Sequence, residues 1–188
     1  MHICVYGAAN DAIKPSYLDS AYRLGQTIAK AGHTMVFGAG CTGVMGASAR
    51  GVQAEGGKLI GIAPTFFHVP GILEENCTEL ILTETMRERK DLLEQESDMF
   101  IAAPGGIGTL DEFFEIFTLR TLERHKKPVI LLNTDGCWDA LLRLLEDFVT
   151  GGLMKEEYRG MLEVIREPEE LYDVWKIMES VGVLPEEE

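Results

Sequence analysis

The stretch Met99-Phe100-Ile101-Ala102-Ala103, running directly into Pro104-Gly105-Gly106-Ile107-Gly108-Thr109, limits the fold more than any other part of the chain. A short, wholly apolar run has no polar face to show to water, so it reads as a strand covered on both sides. The glycines after it and the amphipathic stretch from Leu110 to Leu122 read as a tight turn and a helix. Such a strand needs apolar layers above and below it, and the chain supplies them by repeating the unit. Residues 2–6, 34–37, 58–63, 80–82, 128–132 and 162–165 are further strand-like runs. Helical segments lie between them, opening at Pro15, after the glycines near Gly43, at Thr85, near Trp138 and at Pro168, while residues 64–78 form a looser segment. Alternation at this spacing predicts an α/β fold, a doubly wound parallel sheet with helices on both faces. No repeat, linker or composition break marks a second unit. Residues 1–182 are therefore expected to form one domain, and the acidic tail 183–188 to be disordered.

Charge narrows the partners. A formal net charge of −14 argues against a general nucleic-acid or membrane-surface binder, since both need basic patches. It leaves room for a small anion held in a local basic pocket. Cys4, Cys41, Cys77 and Cys137 are scattered without a CxxC pair, as free thiols in a reducing compartment would be. His2, His33, His68 and His125 lack metal-ligand spacing, so no metal site is expected. The first residues carry no basic segment leading into a long apolar one, and no run reaches membrane-spanning length. The expected location is the cytoplasm.

In an open parallel sheet, ligands bind beyond the carboxyl ends of the strands. Glycine turns fall there at Gly7, at Gly38 to Gly46 and at Gly105 to Gly108. Any one of them is explained by a tight turn alone; three on one rim point to a nucleotide or another phosphorylated ligand. Gly38-Ala39-Gly40-Cys41-Thr42-Gly43 matches GxGxxG, the dinucleotide fingerprint. That site would also want an acidic residue ending the next strand, where Ala63-Pro64-Thr65 stand, so NAD is disfavoured and no cofactor is expected. No turn continues into the GK[ST] of a Walker phosphate loop.

Glu112 admits two readings. Thr109-Leu110-Asp111-Glu112 fits a T-x-x-E capping box, with Glu112 bonded to the Thr109 amide. The alternative is an acid beside a bound phosphate, turned toward the sugar. Leu110, Phe113, Phe114 and Phe117 recur at helical spacing as the packed face, leaving Glu112, Glu115 and Leu119 on another, with Thr118 at its edge. In the helix from Thr85, Met86, Arg89, Lys90 and Leu93 share a face and Arg87 points elsewhere. Such charges usually form a solvated face with neighbours like Glu88, Glu94 and Glu96; only a nearby anion site would give Arg89 and Lys90 another role.

The paired motifs resemble a known family. Pro104 to Glu112 matches PGGxGTxxE, and Met86-Arg87-Glu88-Arg89-Lys90 matches the MxxRK segment one strand earlier. Together they are similar to the LOG ("lonely guy") family of nucleoside 5′-monophosphate phosphoribohydrolases, which activate cytokinins and have carried the label lysine decarboxylase. The resemblance extends to Phe37-Gly38-Ala39-Gly40, Gly43-Val44-Met45-Gly46, His125 to Val129, Leu132-Asn133 and Asp135-Gly136. It implies a Rossmann-like homodimer that cleaves the N-glycosidic bond of AMP or an N6-modified AMP to free base and ribose 5-phosphate. It implies catalytic roles for Arg89 and Glu112, a phosphate site in Gly105, Gly106, Ile107, Gly108 and Thr109, and binding contributions from Met86, Lys90, Thr118, Gly40 and Gly43. It also places parts of both chains near each site. Nothing in the sequence identifies a pyridoxal-phosphate lysine for a decarboxylase.

This chain departs from the family pattern at Ala8-Ala9, where relatives carry a serine pair. It departs again near Gly71, where Glu74 and Glu75 are offset from an acidic residue linked to base recognition. The alternatives are a non-catalytic binder of a nucleotide or a molybdenum-cofactor-like phosphate on the same fold, and a dinucleotide-dependent oxidoreductase.

Overall fold

The computed structural model describes residues 1–180. The disorder expected for the tail 183–188 and the end of the domain at residue 182 lie outside the described residues. The strands are β1 (His2–Tyr6), β2 (Thr34–Phe37), β3 (Lys58–Pro64), β4 (Glu79–Thr83), β5 (Met99–Ala102), β6 (Val129–Leu132) and β7 (Leu162–Ile165). The helices are α1 (Pro15–Lys30), α2 (Gly43–Ala54), α3 (Met86–Gln95), α4 (Ile107–Thr121), α5 (Asp139–Thr150), α6 (Glu156–Arg159) and α7 (Leu171–Ser180). All seven strands join one parallel sheet in the order β4-β3-β2-β1-β5-β6-β7. The expected doubly wound α/β architecture is therefore present.

Side chains alternate across each strand, which divides the core into two layers. Ile3 and Val5 of β1 pack with Leu24 and Ile28 of α1, Val52 of α2 and Trp175 of α7. Cys4 and Tyr6 of the same strand face Leu93 of α3, Phe113 and Phe117 of α4 and Leu145 of α5. The chain first winds outward from β1 to β4, then returns to lay β5 on the other side of β1. The turns after these two adjacent strands, β1 and β5, consequently leave toward opposite faces, and a crevice opens between them. Two bonds past the strand ends, Ala103 N to Tyr6 O at 2.9 Å and Ala8 N to Pro104 O at 3.1 Å, hold the lips of that crevice in register.

Two local expectations are corrected. Helix α4 starts at Ile107, a turn before Leu110, with Gly106 as its N-cap and no capping side chain. Thr109 thus lies inside the helix and the T-x-x-E capping box does not form. Pro104-Gly105-Gly106 already completes the turn, so the helix is under way before Thr109 is reached. Second, the buried face of α4 is Phe113, Ile116 and Phe117, while Leu110 and Phe114 are half-buried at its edge. The helix is apolar on two faces, and the i, i+3, i+4, i+7 spacing could not say which one meets the sheet. The looser segment expected over residues 64–78 is also present: β3 and β4 are joined without an α-helix, by the 3₁₀ turn Thr65–Phe67 and a strap after it.

Candidate active site

A cleft of about 810 Å³ opens at the carboxyl ends of β1, β2 and β5. One wall comes from Gly7, Ala8, Ala9 and Asn10 after β1, with Ile13 and Tyr17 behind them. Gly38, Gly40 and Met45 form its floor toward β2, and Phe67, Ile72 and Leu73 form its roof. Pro104, Gly105, Gly106, Gly108 and Thr109 close the end toward β5, where Met86, Arg89 and Glu112 also reach in.

Arg89 and Glu112 stand 23 residues apart in sequence and meet at the foot of this cleft. Arg89 Nη1 lies 2.8 Å from Glu112 Oε1, with their side chains only 8% and 12% exposed. Arg89 Nε also donates to Ile62 O at 3.3 Å, which ties the guanidinium to the end of β3. Glycine at position 38 is required by this contact, since a Cβ there would run into the Arg89 guanidinium. Burial pushes the Glu112 carboxyl above its ordinary value; the charge and hydrogen bond of Arg89 pull it back only in part. The pair therefore does not hold Glu112 at or below the usual carboxylate range, the effect expected from a neighbouring cation alone.

Two glycine turns end in helix N-termini, and they differ in what their amides do. At α2 the donors are occupied: Gly43 N donates to Asp11 Oδ1 at 2.7 Å, and Val44 N to Ala8 O at 2.8 Å. At α4 the amides of Ile107, Gly108 and Thr109 donate to no acceptor among the described residues; the first intrahelical bond is Leu110 N to Gly106 O at 3.0 Å. Free first-turn amides and the helix dipole make α4, not α2, the place for an anion.

Of the residues singled out from sequence, Met86, Arg89, Glu112, Gly40, Gly105, Gly106, Gly108 and Thr109 all line the cleft. Gly43 does not; its amide caps onto Asp11, so it shapes the turn from behind. The Ile107 amide belongs to the open α4 terminus, but its side chain is 87% exposed and points away. Lys90 and Thr118 lie on an adjoining depression with Ile107, Leu110, Phe114 and Leu119. There Lys90 Nζ pairs with Glu115 at 2.7 Å and Asp111 at 3.3 Å, because one further residue along α3 turns its side chain toward α4 rather than the cleft. Ile13, Tyr17, Met45, Phe67, Ile72 and Leu73 were not foreseen as lining. Phe66-Phe67 within a loose segment was the one visible signal, an apolar pair where solvent-facing residues would be expected.

With this geometry in view, comparison with known proteins is informative. A family model described as "Possible lysine decarboxylase" matches residues 45–174. The chain is 37% identical over 160 residues to the cytokinin riboside 5′-monophosphate phosphoribohydrolase LOG of Oryza sativa subsp. japonica. That match covers 85% of this chain and 66% of the rice protein, just under two thirds of its length. It is 36% identical over 163 residues to the cytokinin riboside 5′-monophosphate phosphoribohydrolase of Mycobacterium tuberculosis, covering 87% of each. Among solved structures, the molybdenum cofactor binding protein of Rippkaea orientalis superposes with a TM-score of 0.70 at 26% identity over 94% of both chains. The molybdenum cofactor carrier protein of Chlamydomonas reinhardtii, at 23% identity and a TM-score of 0.70 over 95% of this chain and 98% of its own, shares the fold. By its matched model and its relatives, this chain belongs to the LOG family, the family described as possible lysine decarboxylases.

Proposed function

We propose that the protein is a nucleoside 5′-monophosphate phosphoribohydrolase, acting on AMP or an N6-modified AMP. The observation that carries this reading is the buried Arg89–Glu112 pair beside the open amides of Ile107, Gly108 and Thr109. In the reaction, water adds to C1′ as the C1′–N9 bond breaks; the base leaves with a proton and ribose 5-phosphate remains. Positive charge builds on the ribose in the transition state. A carboxylate at Glu112 stabilises that charge or orients the water, and such contacts raise the rate only because they strengthen in the transition state. The phosphate does not react, so holding it at the α4 terminus orients the sugar against Glu112. Arg89 fixes the carboxylate, and Met86, Gly40 and the backbone of Gly105 and Gly106 bound the ligand.

Product analysis over a panel of nucleotides tests the reading. Free base should appear from AMP and N6-isopentenyl-AMP, and not from adenosine, which lacks the phosphate. No base from any 5′-monophosphate would reject it, and tight binding without turnover would favour the alternative, a non-catalytic binder of a nucleotide or a molybdenum-cofactor-like phosphate, which the likeness to the Rippkaea binding protein supports. Gly105→Ala tests the phosphate end separately. A Cβ there would collide with the Thr109 side chain and displace the turn. Affinity for ribose 5-phosphate, measured by calorimetry, should fall about tenfold, the size of one lost hydrogen bond to a charged group; an unchanged affinity would move the phosphate elsewhere.

We also propose a homodimer formed through the outer face of α4. Ile107 is almost fully exposed there, beside the half-buried Leu110 and Phe114, and Leu122 is exposed at the far end of the helix, an apolar surface unusual for a helix facing water. In this arrangement Lys90 and Thr118, which lie off their own chain's cleft, would approach the site from the interface. Sedimentation should give twice the chain mass, and Leu122→Asp should shift it toward monomer. No described helix is long and apolar enough to cross a membrane. We propose the cytoplasm as the place of work, where four free cysteines stay reduced.

A further inference from the structure

The roof of the cleft is held unevenly. Among the described residues, 65–70 hydrogen-bond only within their own segment and as far as Ile72: His68 N to Thr65 O, Val69 N to Phe67 O and Ile72 N to Val69 O. Phe66, Phe67 and Val69 are exposed along it. From Gly71 onward the chain is tied to the cleft floor. Gly40 and Leu73 form an antiparallel bridge, with Cys41 N donating to Ile72 O at 3.0 Å and Glu74 N to Ala39 O at 2.8 Å. Two of the residues so held, Ile72 and Leu73, line the cleft.

Glu74 secures the other side of this strap. Its side chain does not line the cleft; the residue is 9% exposed. Its Oε1 accepts from Gln53 Nε2 on α2 and from Asn76 N, both at 3.1 Å. Gln53 Nε2 also reaches Asn76 O at 3.4 Å. A buried carboxylate with two donors aimed at it is a costly arrangement to build and a costly one to break. Its hydrogen-bond partners lie on α2 and in the strap, none of them at the α4 terminus or in the Arg89–Glu112 pair.

We infer that Glu74 is a positioning residue for the base end of the cleft: by binding the strap to α2 it sets where Ile72, Leu73 and the Phe67 turn stand over the ligand. The phosphate goes to the open first-turn amides of α4, beside Gly105 and Gly106. The wall under the strap, Phe67, Ile72 and Leu73 over Met45, is mainly apolar and suits the base. Base recognition in this chain then depends on a wall held in place from behind, with no carboxylate of Glu74 facing the ligand. The kinetic part of this inference rests on the phosphoribohydrolase reading; its binding part does not.

The test compares Glu74→Ala, Glu74→Gln and Gln53→Ala. With AMP, Glu74→Ala should raise KM about tenfold, equivalent to about 1.4 kcal/mol, with kcat within about twofold of the parent. Glu74→Gln should restore KM, because an amide oxygen accepts from the same two donors. Binding is measured by calorimetry in the Glu112→Gln background, so that ligand is not consumed. There Glu74→Ala should weaken AMP about tenfold and leave ribose 5-phosphate unchanged. If Glu74→Ala does not fold, Gln53→Ala removes the same tie from the helix side and carries the same expectation. Equal weakening of AMP and ribose 5-phosphate, no weakening of either, or a loss confined to kcat would overturn the inference. If the parent releases no base but the selective loss of AMP affinity persists, the hydrolase reading fails and the role of Glu74 stands.

Discussion

Glu112→Gln is expected to lower kcat for base release from AMP by about 10²–10³, the scale of removing one preorganised electrostatic contact to a transition state. The fold should survive, since the Gln oxygen can still accept from Arg89 Nη1, which sits 2.8 Å from Glu112 Oε1. Affinity for AMP should change little, because the carboxylate acts on charge that develops only as the bond breaks. The pH profile gives an independent readout. Burial raises the Glu112 carboxyl above the ordinary glutamate range, so the ionised form is lost as pH falls through that raised value. The acid limb of kcat/KM in the parent should therefore lie above that of an ordinary glutamate, and it should be absent from the residual activity of the variant. Undiminished turnover in Glu112→Gln would remove the carboxylate from the chemistry and leave it as a partner for Arg89 alone.

Arg89→Ala should be the most destabilising change in the site. It leaves Glu112 in a largely buried position without its counter-charge, and breaking such a pair from one side costs about 3–5 kcal/mol. The cleft admits water on one side of Glu112, which favours the lower end of that range. The Ile62 carbonyl also loses the Nε donor that reaches it at 3.3 Å. Activity should fall with stability, because an unpaired carboxyl in this position drifts toward its neutral form. The double variant Arg89→Ala/Glu112→Gln decides whether the pair is the cause. With no buried charge left over, it should recover part of the stability lost in Arg89→Ala, giving clearly non-additive unfolding energies in denaturant titrations. Strict additivity would show that Arg89 contributes through packing on Gly38 and β3, independently of Glu112.

Much of the fold was legible before any coordinates. The apolar runs 99–103 and 128–132 have no polar face, and in a chain where helices alternate with strands only a two-sided parallel sheet hides them. The glycine turns marked the rim where the cleft lies, and the MxxRK and PGGxGTxxE segments named the two side chains that meet in it. Other features were not legible because they depend on what stands opposite. Thr109-Leu110-Asp111-Glu112 fits a capping box in isolation, yet Arg89 offers Glu112 a charged partner and the helix begins a turn sooner. Lys90 and Arg89 are neighbours on one helix, but only Arg89 turns to the cleft while Lys90 pairs across to α4. The two glycine-rich helix starts look equally suited to an anion as sequences. Asp11 and the Ala8 carbonyl, from a different turn, close one of them.

The division has a physical basis. Local sequence by itself determined the strands, the turns, the approximate helices and the inventory of chemical groups, because these follow from hydrophobic period, glycine permissiveness and residue type over a few neighbours. Tertiary structure alone decided which amides remain free at α4, how far burial raises Glu112, that the Gly38 floor must yield to a guanidinium from α3, and that Glu74 faces α2 and not the ligand. Each of these is a contact between segments far apart in the chain. Hydrogen-bond satisfaction and desolvation depend on every group brought near, and no local pattern encodes them.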